Sequence, residues 1–175
     1  HLAQAIGNEV KRLHTNKVVL YVSSEKFINQ FIDHSRNQAI NDFIHFYQLI
    51  DVLIIDDVQF FNRAEKSQEA FFAIFNHLHQ SGKQLILTSD KSPKDLEGVQ
   101  ERLLSRFRWG LSADLQAPDY ETKIEILEKK MKNDGLEMPK EVVKYIAYNI
   151  NSNVRELEGA LISLLAQSSD RKSVV

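Results

Sequence analysis

The acid pair Asp56–Asp57 closes the apolar run DVLIIDD. A run of that kind reads as a buried strand, and in a parallel α/β sheet ligands bind beyond the carboxyl ends of the strands. One carboxylate placed there can hold a Mg²⁺-bound water while its neighbour orients an attacking water. The plainer account is that the pair ends a strand and starts a turn. A second run, QLILTS, delivers Thr88, Ser89 and Asp90 to the same edge. Two polar strand ends at one edge favour the chemical account.

Three arginines add to the pattern. Arg102 and Arg106 stand four apart in ERLLSRFRWGL, so both project from one helix face. They are either a solvated basic face with acid partners or phosphate-directed forks, since a guanidinium matches phosphate oxygens and stays charged. Arg155 falls in the first turn of the last helical pattern, where the helix dipole disfavours a cation. Neighbouring acids account for it as a surface pair; an unfavourable dipole position also hints at another duty.

Other segments carry less. The six histidines show no metal-ligand spacing, and His77 and His79, two apart on a helix, point different ways. FFNRAEKS sets aromatics near Arg63 and Lys66, as single-strand binders do, although Phe60 or Phe61 serves equally as core. SSEKF reads as a strand end followed by a helix cap.

The elements that must position these residues alternate. Leu2, Ile6, Val10 and Leu13 recur at helical spacing over residues 2–13. KVVLYVS (17–23) reads as a buried strand, and residues 25–33 and about 37–48 as two short helices. Strand 51–56, a helix over 66–80 ended by Gly82, strand 84–89 and a weaker strand at 110–115 follow. Strand–helix alternation with continuous apolar strands predicts an α/β fold, a parallel sheet covered on both faces. From Pro118 the strand signals stop. Ile124/Leu127/Met131, Val143/Ile146/Ala147/Ile150 and Val154/Leu157/Leu161/Leu164 mark three helices. The spacing predicts a core over 1–117 and a small all-helical subdomain over 118–175. Asn153 and Glu156 have capping-box spacing, and a polar tail is expected after Gln167.

Bulk properties bound the function. The 175 residues are 43% hydrophobic and 26% charged, as in an ordinary globular protein with a core that needs no disulfide or structural metal. Without cysteine, disulfides and thiolate metal sites are excluded, and a reducing compartment fits. No apolar stretch approaches the ~18 residues of a membrane span, so no stable membrane insertion is expected. The N-terminus has neither the basic nor the apolar region of a secretory signal. A net charge of −2 provides no global attraction to nucleic acid, so any DNA contact must be local or carried by another segment.

Taken in order, YVSSEKF, DVLIIDDVQFF, LILTSD, ERLLSRFRWGL, the segment from Pro118 to Leu127 and NVRELEGAL resemble the DnaA family of bacterial replication initiators, which are AAA+ ATPases. The resemblance covers nearly the whole chain. It implies a P-loop AAA+ parallel sheet with a helical lid. It also implies a slow ATPase that assembles on the replication origin with ATP and melts it. ATP or ADP and Mg²⁺ are the implied cofactors. The implied partners are further copies of itself in a head-to-tail oligomer, origin DNA including single strands, and the replicative helicase machinery. The location would be the cytoplasm, at the nucleoid.

Roles follow residue by residue. Asp56 and Asp57 match the Walker B acids, Asp56 nearest Mg²⁺, mostly through water, and Asp57 where many relatives carry the catalytic glutamate. Asp90, with Ser89, matches sensor 1, and Arg106 the arginine finger that reaches ATP on the neighbouring protomer. Arg102 matches an arginine of oligomer contacts and Arg155 the sensor 2 arginine of the lid. Residues 26–47 stand where the family places its initiator-specific insertion, and Ile32, Lys66 and Ser67 match positions of its single-strand channel. Ala64 stands where family members often carry a lysine. The resemblance further implies a phosphate-cradling Gly-x-x-x-x-Gly-Lys-Ser/Thr loop just before His1 and a helix-turn-helix domain beyond Val175. Without that loop the chain is expected to bind ATP poorly and not to turn it over. Three other readings share parts of this pattern. They are a DnaA-like regulator of the initiator, a helicase loader of the same fold, against which NVRELEGAL counts, and a non-enzymatic assembly or single-strand-binding module.

Overall fold

In a computed structural model, which describes residues 1–62, 64–150 and 153–172, three parallel strands lie side by side in chain order. They are β1 (Val19–Ser23), β2 (Val52–Asp56) and β3 (Gln84–Leu87). Tyr21 pairs with Ile54 and Ser23 with Asp56, while Ile55 pairs with Leu87. This register brings the three carboxyl ends to one edge. Arg63 lies outside the described residues.

Parallel strands need crossovers, and helices supply them. Helix α1 (Leu2–Leu13) precedes β1, α2 (Ser24–Arg36) and α3 (Ile40–Gln48) join β1 to β2, and α4 (Glu65–Gln80) joins β2 to β3. A short α5 (Glu101–Phe107) follows. Helix α3 starts at Ile40 rather than near residue 37, because Gln38 takes φ 57, outside helical space. Ser23 caps α2 as its sequence suggests: its Oγ accepts the Lys26 N–H at 3.2 Å.

Alternation along β2 assigns its side chains to two cores. Leu53 and Ile55 face a large core that includes Phe27, Phe43, Tyr47, Phe61, Phe71 and Leu78. Phe27 meets Phe43, Tyr47, Phe61 and Phe71 edge-on with centroids 4.9–5.6 Å apart, a favoured aromatic geometry. Val52 and Ile54 face the opposite way, against Ala3 of α1. Here α1 comes very near the sheet. A Cβ added to Gly7 would stand 2.8 Å from Ile54 Cδ1, so any larger residue there makes a neighbour shift.

The strand expected at 110–115 does not form. Leu111 and Leu115 are exposed, and Gly110 sits at φ 110, so neither burial nor extended backbone favours pairing there. The chain divides into two compact units, His1–Ser112 and Ala113–Val175, a division upstream of the predicted join at Ala117–Pro118.

The second unit is helical: α6 (Tyr120–Asp134), α7 (Lys140–Asn149) and α8 (Val154–Lys172). Leu127, Val143, Ile146, Ala147, Leu157 and Leu161 form its core. Asp119 caps α6 by accepting the Thr122 N–H at 2.8 Å, and Gly135, at φ 65, ends it with Leu136 N–H donating to Met131 O. At the capping box of α8, Asn153 Oδ1 accepts the Glu156 N–H at 2.9 Å. The tail expected after Gln167 is helical as far as Lys172.

Candidate functional site

The sheet's carboxyl edge carries a row of polar groups. Asp56 ends β2 on the α1 side of the sheet, where Val52 and Ile54 precede it. Tyr21, diagonal to it on β1, donates its phenol O–H to Asp56 Oδ2, and Thr88, just past β3, donates its hydroxyl to Oδ1. The carboxylate is thereby held from both flanks. Burial, the bond to Asp56 and the charges of Asp56 and Asp57 together push the Tyr21 phenol up to about 12. Gln4 of α1 opposes this shift through its own bond to Tyr21. Residues of α1, β1, β2 and the end of β3 are thus joined across one edge.

Asp57 begins the turn in left-handed backbone, φ 59 and ψ 54, which aspartate tolerates better than most residues. Its N–H donates to Thr88 Oγ1 at 3.0 Å, and its carbonyl accepts the fully buried Ser24 hydroxyl at 2.5 Å. Val58 N–H donates to Thr88 O at 2.9 Å. Thr88 therefore fixes both the side chain of Asp56 and the main chain of Asp57. The Asp57 carboxylate accepts from Gln59 Nε2 at 3.1 Å, and Gln59 Oε1 is buried with no partner among the described residues. Left-handed backbone and an orphaned acceptor in one turn are the kind of strain that gathers at functional sites.

The remaining predicted residues are placed as follows. Asp90 is exposed beyond β3, and Ser89 Oγ accepts the Lys91 N–H at 3.1 Å, while Thr88 meets Asp56. Arg106 is half-buried on α5; its Nε donates to Asn76 Oδ1 at 2.7 Å and its Nη1 to Arg102 O at 2.8 Å. Arg102 donates from Nε to Gln100 Oε1 at 2.7 Å and lies 3.8 Å from Glu69. Both guanidiniums sit over the Phe72 ring, at 4.5 and 4.2 Å. Arg155 is exposed in the first turn of α8, in the other unit, with no ion pair among the described residues. Ile32 and Lys66 are exposed, whereas Ser67 is only 4% exposed; the fold covers it.

Sequence reasoning missed Tyr21, Ser24, Gln59 and Gln68. Two signals could have found some of them. Tyr21 is the only residue of β1's apolar run with a polar tip, and Gln68 is a polar residue three and seven positions before Phe71 and Phe75, on the buried face of α4.

A Mg²⁺ ion fits the Asp56 oxygens in kind, being a hard cation that keeps several waters and takes one or two carboxylates plus phosphates. Among the described residues no group of three or more His, Cys, Asp or Glu forms an all-protein cage. Such a cage is not what Mg²⁺ at a phosphate site requires. Among the same residues no helix is long and apolar enough to cross a membrane.

A parallel sheet covered by helices, with acids and hydroxyls gathered at its carboxyl edge, defines an α/β domain of the AAA+ class. The model of the bacterial DnaA ATPase domain matches residues 1–114. The chromosomal replication initiator protein DnaA of Flavobacterium psychrophilum is 60% identical over all of this chain, which spans 37% of that relative. Among solved structures, domain III of the Thermotoga maritima replication initiation protein DnaA superposes with TM-score 0.94 at 40% identity, covering 100% of this chain and 73% of that one. A replication initiator DnaA bound to AMPPCP and single-stranded DNA superposes with TM-score 0.84 at 40% identity, covering 99% and 54%. The chain belongs to the bacterial DnaA ATPase-domain family.

Proposed function

We propose that the chain is the ATPase and oligomerisation core, with its lid, of a chromosomal replication initiator, which assembles on origin DNA with ATP and melts it. The observation that carries this is the two-flank clamp on Asp56 at the carboxyl end of β2. A carboxylate oriented in advance by two hydroxyls suits a water of nucleotide-bound Mg²⁺. The ion, when bound, neutralises charge on the phosphate oxygens. Asp57 orients the attacking water, and its short side chain, engaged with Gln59, agrees with slow turnover. Asp90 addresses the terminal phosphate from the end of β3.

Arg106 acts in trans on nucleotide bound by a neighbouring copy, with Arg102 in the same contact. A guanidinium tied to α4 through one nitrogen and to Arg102 O through another has further N–H donors to present. Arg155 takes the family's sensor 2 role toward the nucleotide, which accounts for a cation in the first turn of a helix. Ile32 and Lys66 belong to the single-strand contact surface, and covered Ser67 stands behind Lys66 at the start of α4. The relative bound to AMPPCP and single-stranded DNA supports both the nucleotide and the strand. The wider partners are further copies of the chain, origin DNA and the helicase machinery, in the cytoplasm.

The test is Arg106→Ala in the full-length protein, read by sedimentation with and without ATP. The expected outcome is loss of ATP-dependent assembly with nucleotide affinity within about twofold of the parent, since the arginine acts only across the interface. Assembly of unchanged strength overturns the assignment.

A further inference from the structure

Helix α4 carries a polar stripe that the proposed chemistry does not use directly. Gln68 is fully buried, and its amide is fully engaged by main chain. Nε2 donates to Phe61 O and to Gly98 O, both at 2.9 Å, and Oε1 accepts the Gln100 N–H at 2.7 Å. Phe61 closes the turn that starts at Asp57. Gly98 and Gln100 belong to the irregular segment that leads into α5, and Gln100 is the N-cap residue of that helix. One side chain therefore joins the acid turn to the start of the arginine helix.

The connection continues outward. Gln100 Oε1 accepts Arg102 Nε at 2.7 Å. One turn along α4 from Gln68, the Phe72 ring lies under both guanidiniums, and one turn further Asn76 Oδ1 accepts Arg106 Nε at 2.7 Å. Gln68, Phe72 and Asn76 stand four residues apart, so they form one stripe along the helix. Among the described residues the ties from α4 to Arg106 come from this stripe, and Arg102 adds a looser pair with Glu69 outside it.

A buried amide is a costly way to fill space. An apolar side chain of similar volume packs there without needing partners, whereas losing the amide removes the partner of three main-chain groups, of which Phe61 O lies in the interior. Its presence makes sense where main chain outside regular structure has to be held in one place. Gly98 O and Gln100 N–H are such groups, since the segment containing them belongs to no helix or strand ladder.

We propose that the α4 stripe, rooted in buried Gln68 and continued by Phe72 and Asn76, is a positioning device that aims Arg102 and Arg106 at a neighbouring copy's nucleotide. This rests on the arginine reading above. It adds residues that touch neither nucleotide nor partner and act through the two arginines. Gln68 and Phe72 would set where α5 starts and which way its basic face turns, and Asn76 would set the direction of the Arg106 fork.

The experiment compares full-length Gln68→Met, Asn76→Ala, Asn76→Asp and Arg106→Ala. Two readouts are taken: affinity for a fluorescent ATP analogue at concentrations where the protein is monomeric, and the concentration at which ATP-dependent assembly is half complete. Gln68→Met and Asn76→Ala should leave analogue affinity within about twofold and raise the assembly midpoint about tenfold or more, a shift of ~1.4 kcal/mol. Asn76→Asp, which keeps an acceptor for Arg106 Nε, should assemble within about threefold of the parent. A merely structural loss would lower affinity and assembly together and would not separate Asn76→Ala from Asn76→Asp. If Gln68→Met does not fold, the two Asn76 variants, at a half-buried position, decide the matter alone. The proposal is overturned if Arg106→Ala abolishes assembly while Gln68→Met and Asn76→Ala assemble like the parent. If Arg106→Ala itself assembles like the parent, the arginine reading fails, and the positioning proposal falls with it.

Discussion

Gly7→Ala opposes two effects of known size. The added methyl would stand 2.8 Å from Ile54 Cδ1 and 3.5 Å from Val19 Cγ1. Carbon atoms prefer about 3.5–4.0 Å, so only the first contact is an overlap. Ile54 is 0% exposed, which leaves its Cδ1 nowhere to retreat without disturbing neighbours. Overpacking of this kind costs roughly 1–3 kcal/mol. Against it, alanine is better than glycine inside a helix by about 1 kcal/mol. The expected net result is destabilisation between about 0 and 2 kcal/mol. Ile54→Val removes the offending atom and alone costs about 0.5–1.5 kcal/mol. In the double variant the overlap disappears while the helix gain remains. The double variant should therefore be more stable than the sum of the singles by about 1–3 kcal/mol, the size of the relieved overlap. Urea unfolding followed by Trp109, the only tryptophan and a residue of the first unit, checks this. Additive singles, or Gly7→Ala stabilising by the full ~1 kcal/mol, would refute the close seating of α1. That seating also brings Gln4 to Tyr21, so the same variant should loosen the α1 side of the acid site.

Other expectations concern single groups. Thr88→Val removes the donor to Asp56 and strands the Asp57 N–H; it should cost about 1–3 kcal/mol and speed amide exchange at Asp57, with Thr88→Ser restoring both. Unchanged exchange would show that Thr88 does not hold the turn. The Tyr21 phenol, raised in the folded state, binds its proton more tightly there than in the unfolded chain. Its contribution is therefore complete below the ordinary tyrosine value of 10.0 and lost as pH rises through about 12. Ultraviolet titration should show late ionisation, of which Tyr21→Phe removes one tyrosine's share while buried Tyr47 keeps its own, and an unaltered curve would refute the raised Tyr21 phenol. Asp119→Ala deletes the α6 cap and should destabilise the helical unit by about 1 kcal/mol, readable by amide exchange in α6.

Much of the site was legible in the sequence because the relevant signals are local. The run DVLIID is long and apolar enough to place a buried strand, and a parallel sheet puts ligands at its carboxyl end, so Asp56 follows from position alone. The spacing of Arg102 and Arg106 likewise puts both on one helix face. The sequence was less legible where a residue's surroundings depend on distant chain. GLSADL has strand-like composition, yet at 110–115 nothing covers Leu111 or Leu115. Ser67 sits among charged residues but turns out buried, because the helical phase of α4 places it with Ala70, Phe71 and Ile74 on the face that packs inward.

Residue order alone determined the alternation of strands and helices, the separate helical unit, and the arrival of Asp56 and Thr88 at one edge. These rest on periodicities of two and 3.6 that act within a few residues. Tertiary structure alone decided which groups meet. Tyr21 reaches Asp56 across the β1–β2 register, 35 positions away, and Gln68 reaches Gln100 over 32. A hydrogen bond needs its atoms placed to within a few tenths of an ångström, and that placement comes from strand register and helix seating across the whole unit.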